Sequence, residues 1–189
     1  PELYSHSSRV HEYGGMAYTL SENTIYFVNA SDQRIYQIAI GSDQAKPITE
    51  QGPRFADLAM DNTNNRLIAV CEQHNDNGEP ENYLAAISLD KANQEPQRLA
   101  SGADFYAYPR ISPNGQKLCW IEWNHPDMPW DCTQLYCADN QITLSNKNMV
   151  AGADNNESIL QPQWSPDNQL YYVSDRNNWW NIYSAENGI

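Results

Sequence analysis

The sequence predicts an all-β chain, a partial β-propeller of about four blades, each a four-stranded antiparallel sheet. Three observations predict it. One hairpin pattern recurs four times along the 189 residues. The turns inside it are built from Pro, Asn, Asp and Gly, and no long stretch holds the 3.6-residue apolar period of a helix.

The hairpins are "AYTLSENTIYFV" (17–28), "LAMDNTNNRLIAV" (58–70), "PRISPNGQKLCWI" (109–121) and "PQWSPDNQLYYV" (162–173). Each first strand ends on an apolar residue: Leu20, Met60, Ile111 or Trp164. A Ser or Asp follows: Ser21, Asp61, Ser112 or Ser165. Its side-chain oxygen can hold the free amides of the turn. Pro113 and Pro166 preset φ at the first corner, and Gly115 and Asn168 suit a positive φ. A third strand is expected at 34–40, 82–89, 134–139 and 181–185, and a weaker fourth at 46–49, 96–100 and 148–151. Four strands at a period of about 40 to 53 residues describe a propeller blade. The expected blades are 11–50, 54–100, 104–151 and 158–189. Runs such as "LCWI" and "LYYV" are apolar at consecutive positions, as suits inner strands covered on both faces.

The last blade stops after its third strand, and closed propellers have about four to eight blades. The chain therefore reads as an arc of a larger ring, a fragment of a longer protein. Its cut strand edges invite pairing between copies, a route to a homo-oligomer. It begins at Pro1, so its lack of a signal peptide carries no weight.

Net charge is −13, which repels phosphate backbones and anionic lipid. Neither nucleic acid nor a membrane is an expected partner, and no run of about 18 apolar residues is present. Mean hydropathy is −0.73, so 12 Tyr and six Trp supply much of the core. Cys71, Cys119, Cys132 and Cys137 lack paired knuckle spacing and are expected to be free, mostly buried thiols of a cytoplasmic chain. A bridge between Cys132 and Cys137 stays open.

Three stretches carry a family resemblance: "RVHEYGGMAY" (9–18), "DFYAYPRISPNGQKLCWIEWNHPDMPWD" (104–131) and "ESILQPQWSPDNQLYYVSDRNNWWNIY" (157–183). Together they resemble the propeller of the prolyl oligopeptidase (S9) family of serine peptidases, in its acylaminoacyl-peptidase and dipeptidyl-aminopeptidase-like branch. The resemblance implies a propeller that filters short peptides and helps to shape the pocket of a C-terminal α/β-hydrolase domain. That domain would carry a Ser-Asp-His triad with its nucleophile in a G-x-S-x-G elbow. No such elbow occurs in these 189 residues, so no catalytic residue is assigned.

Six residues are candidates for substrate or inter-domain contact. Glu12 and Tyr13 precede the Gly14–Gly15 pair; they either shape the start of a strand or stand at the propeller face, where a carboxylate could hold a substrate amino group. Trp123, His125, Trp130 and Asp131 fall in a loop stiffened by Pro126 and Pro129, which either packs locally or meets a partner. In "RNNWWNIY" (176–183) the adjacent Trp179 and Trp180 are expected to point to opposite faces, one between blades. His6, His11, His74 and His125 are scattered, and "HNDNGEPE" (74–81) lacks calcium-loop spacing, so no metal and no cofactor are expected.

Two other functions compete. A protein-binding scaffold propeller of a bacterial envelope complex also carries "WSPD" (164–167) and "SDR" (174–176). A propeller enzyme active by itself, a lyase or glycosidase, needs converging His or carboxylate groups on inner strands, which here are apolar.

Overall fold

The computed structural model describes residues 4–185 except 77, 92, 94 and 155. Asn77 of the 74–81 loop and the end of the fourth repeat, residues 186–189, lie outside the described residues. Among the described residues the chain is all-β and forms four antiparallel sheets. None of its elements is a helix long and apolar enough to cross a membrane. Two compact units divide the chain, Pro1–Ser101 and Gly102–Ile189.

In the first unit, β1 (Tyr18–Ser21), β2 (Thr24–Val28), β3 (Ile35–Ala39) and β4 (Lys46–Pro47) pair in chain order. The second sheet repeats this with β5 (Arg54–Asp61), β6 (Arg66–Gln73), β7 (Glu81–Ser88) and β8 (Gln97–Ser101). The two sheets pack face to face through Tyr26, Val28 and Ile35 against Phe55, Leu67, Ala69 and Cys71. Strand β6 is buried from Arg66 to Glu72, which explains its unbroken apolar run. Each large side chain fully buried here contributes roughly 1.5–3 kcal/mol.

In the second unit, β9 (Phe105–Ile111), β10 (Lys117–Trp123), β11 (Gln134–Asp139) and β12 (Ser145–Ala151) form a third sheet. A fourth holds β13 (Ile159–Trp164), β14 (Leu170–Ser174) and β15 (Asn181–Ser184). Cys119, Ile121, Leu135 and Cys137 pack with Ile159, Leu170 and Tyr172 between these two sheets. The outer strand β12 starts at Ser145, three residues before the expected 148.

The turn chemistry is as the sequence implies. Gly115 has φ 73° and Asn168 φ 65°, and Glu22 and Asn65 hold the matching left-handed positions in the first unit. Ser112 Oγ accepts from Lys117 N (2.9 Å) and donates to Asn114 Oδ1 (2.7 Å). Ser165 Oγ does the same with Gln169 N (3.0 Å) and Asp167 Oδ1 (2.5 Å). Asp61 accepts from Asn64 N (3.2 Å) and from Arg66 Nε (2.8 Å), a buried ion pair. Turns of neighbouring sheets are also joined. Asn114 N donates to Asn168 Oδ1 (3.0 Å), and Ser21 Oγ to Asn62 Oδ1 (3.3 Å).

Two expectations are corrected. Trp179 and Trp180 precede β15 instead of lying on it, and both are exposed, at 77% and 50%. With no strand there, alternation places neither between sheets. Trp123 is the last residue of β10, not part of the loop, and is buried. All four cysteines are free and buried, so Cys132 and Cys137 are unbridged.

Candidate functional site

The "RVHEYGG" segment makes a tight reversal before β1. Glu12 N donates to Arg9 O (3.1 Å) and Gly14 N to Val10 O (2.9 Å). His11 (φ 54°), Glu12 (φ 63°) and Gly14 (φ 83°) all take left-handed backbone, which costs the two non-glycine residues roughly 1–2 kcal/mol each. At Gly14 a Cβ would lie 2.7 Å from Ser8 O, so glycine is required there twice over. Gly15 brings the chain against Ala56 and Asp57, and Met16 N donates to Asp57 Oδ1 (2.8 Å).

Arg54, at the start of β5, holds the reversal in place. Its Nη1 donates to Arg9 O (3.0 Å), Glu12 Oε1 (2.6 Å) and Glu72 Oε1 (3.1 Å). Sheet register makes Arg54 and Glu72 direct cross-strand partners. Glu72 is a buried carboxylate, 4% exposed, and it also accepts from His11 N (2.7 Å) and meets His74 Nε2 (2.6 Å). Glu12 by contrast is exposed, and the Arg54 hydrogen bond holds its carboxyl below the usual range. Burial lowers the His11 pKa, against the attraction of Glu72 and Asp57. Tyr13 is 62% exposed, with its ring 5.7 Å from that of His11.

The result is an outward carboxylate and an outward phenol mounted on a charged, mostly buried base. Ligand atoms of Glu12, Glu72 and His74 lie within 4.8 Å of one another, the one donor set among the described residues that could hold a cation. Arg54 already sits between the two carboxylates and supplies the positive charge, so this set suits a guanidinium better than a metal ion.

In the second unit the loop between β10 and β11 carries the other candidates. His125 N and Nδ1 both meet Asp104 Oδ2, at 2.9 and 3.0 Å, and the backbone donor there is the main reason the Asp104 carboxyl sits low. The rings of Trp123 and His125 flank Phe105 at 5.2 and 4.9 Å. Asp131 Oδ2 accepts from Met128 N (3.0 Å) and Asp131 N donates to Met128 O (2.8 Å), closing a short turn around Pro129. Ser158 Oγ donates to Pro129 O (2.6 Å), tying the loop to the fourth sheet. Trp130 is left 60% exposed on top of this turn.

Trp123 and Asp131 are thus braces, whereas Trp130 offers surface; Glu12 and Tyr13 offer surface in the first unit. Sequence reading missed Arg54, Glu72 and His74. One signal was present: Glu72 closes the apolar run "LIAVC", and a carboxylate buried at such a place needs a cationic partner.

The solved structure of a Mycobacterium tuberculosis puromycin-hydrolyzing peptidase is similar to this chain, with 33% identity and a TM-score of 0.87 over 97% of this chain and 31% of that one. A puromycin hydrolase structure is 28% identical, with a TM-score of 0.86 and the same coverage. The chain thus spans 31% of the length of these peptidases. TolB from Acinetobacter baumannii, at 16% identity and a TM-score of 0.54 over 92% of this chain and 44% of that one, shares the fold alone. No family model matches the chain, and no curated protein does.

Proposed function

We propose, for a chain whose sheets are those of the propeller of prolyl oligopeptidase (S9) family serine peptidases, a role as the non-catalytic part of a peptidase acting on short peptides. In this reading it gates access to an α/β-hydrolase domain and helps to shape its pocket. The observation that carries it is the similarity to a puromycin-hydrolyzing peptidase, 33% identical over 97% of this chain. The scaffold reading rests on a likeness of fold only, at 16% identity.

The local chemistry supports the same reading. Glu12 is an exposed carboxylate fixed in direction by Arg54, which suits a substrate amino group at the propeller face. Trp130 is a rigidly mounted exposed aromatic of the kind that anchors peptide or domain contacts. Puromycin is an aminoacyl amide, so a small aminoacyl or peptidyl amide is the substrate class to test first.

The test has two parts. The coding sequence beyond Ile189 should specify a G-x-S-x-G elbow, and its full-length product should release amine from aminoacyl amides and take up a fluorophosphonate. The 189-residue chain by itself should take up none. Further propeller repeats followed by a stop, with no elbow, would overturn the proposal in favour of a scaffold.

A further inference from the structure

Cys119 and Cys137 are direct partners across β10 and β11. Asn140 N donates to Gln116 O at 2.8 Å, which makes 116 and 140 a hydrogen-bonded pair. Such pairs alternate along an antiparallel ladder, so 118 and 138 bond and 117 and 139 do not. Cys119 and Cys137 therefore occupy a non-hydrogen-bonded position, where side chains come closest. The Lys117–Asp139 ion pair, 2.9 Å long, sits at the preceding position of this kind. Cα atoms there are about 4.5 Å apart, inside the range of about 4.4–6.8 Å that a disulfide spans. Both thiols point into the same apolar layer, beside Ile121 and Leu135.

We propose that Cys119 and Cys137 form an oxidative modification site, a cross-strand dithiol that a small disulfide such as glutathione disulfide converts to an internal disulfide. One cysteine attacks the oxidant and expels the first glutathione thiol. The second cysteine attacks the mixed disulfide and expels the other. Two electrons pass to the oxidant, and the two cysteine protons end on the released thiols.

The site is gated by burial. Both residues are fully buried, and desolvation pushes the Cys137 thiol up to about 12 and that of Cys119 higher still. Thiolate, the reactive form, is scarce in the closed hairpin, so exchange proceeds when β10 and β11 part. The bond then closes a ring around residues 120–136, including Trp130, Asp131 and Cys132. It would clamp the base of the loop that presents Trp130. This inference rests on sheet register alone and is independent of any peptidase reading.

The full chain is incubated with glutathione disulfide at a sub-denaturing urea concentration, then alkylated and digested with chymotrypsin, which cuts at Trp120, Trp123, Trp130 and Tyr136 and so separates the cysteines. The expected product links Cys119 to Cys137 and leaves Cys71 and Cys132 alkylated. The urea midpoint of the oxidised chain rises and returns on adding dithiothreitol. In Cys71→Ser and Cys132→Ser chains the bridge still forms, and in Cys119→Ser it does not. Recovery of both thiols alkylated at every oxidant concentration, or a bridge from either to Cys71 or Cys132, overturns the proposal.

Discussion

The reversal at residues 9–16 and the loop at 124–133 both present an exposed side chain, but they are built in opposite ways. Glu12 is held by partners far away in sequence: Arg54 lies 42 residues on, and Glu72, which shares that guanidinium, 60 residues on. Its backbone is left-handed at two non-glycine positions, so the conformation survives only because the charges and Gly14 impose it. Trp130 stands on a turn closed by its immediate neighbours Met128 and Asp131, with one bond from Ser158. The first region should be fragile to remote substitutions. The second should lose its surface without losing its shape.

Four substitutions or titrations sharpen this contrast. Arg54→Ala leaves the buried Glu72 carboxylate short of its cation and frees the reversal, and should cost about 3 kcal/mol in urea unfolding. A cost below about 1 kcal/mol would remove the distinction between the two regions. Gly14→Ala adds a Cβ beside Ser8 O at a positive φ, for a loss of roughly 2 kcal/mol by the same measurement.

Smaller and pH-dependent is the contribution of His11. Burial lowers its pKa from the ordinary 6.5, so the unfolded chain binds a proton that the fold does not. Stability is therefore full above 6.5 and falls as pH drops from there to the folded value. Carboxylates held low, such as Glu12 and Asp104, begin to lose their contribution only as pH falls toward their ordinary values of 4.5 and 3.8, so the first decline below 6.5 belongs to His11. Urea midpoints followed downward from pH 7.5 should decline through this range, and His11→Asn should flatten the curve. Trp130→Ala is expected to change stability by no more than about 0.5 kcal/mol. Under the peptidase role proposed above, the same change in the full-length protein should raise KM for an aminoacyl amide several-fold, and an unchanged KM would reduce Trp130 to plain surface.

The strands were legible because the chain states the same local instruction four times. Ser-Pro-Asn-Gly at 112–115 and Ser-Pro-Asp-Asn at 165–168 fix a turn by chemistry that needs no tertiary context. The consecutive apolar residues of β6 and β10 follow from burial on both faces. Trp123 was misplaced because a Trp beside Asn124 and Pro126 reads as loop, whereas its stacking on Phe105 depends on how β9 and β10 pair. Trp179 and Trp180 were misread because the alternation rule was applied where no strand exists. Glu72 and Arg54 became a pair only through register, a property of two strands that neither strand contains.

The bonds between neighbouring turns, Ser21 to Asn62 and Asn114 to Asn168, constrain how this architecture can change. Lengthening either turn by one residue carries its polar group past its counterpart. Connections such as 124–133, which lie away from these turns, can grow or shrink without breaking the stitch. The rim that carries 124–133 is therefore where this chain can try new surfaces without disturbing either of these bonds.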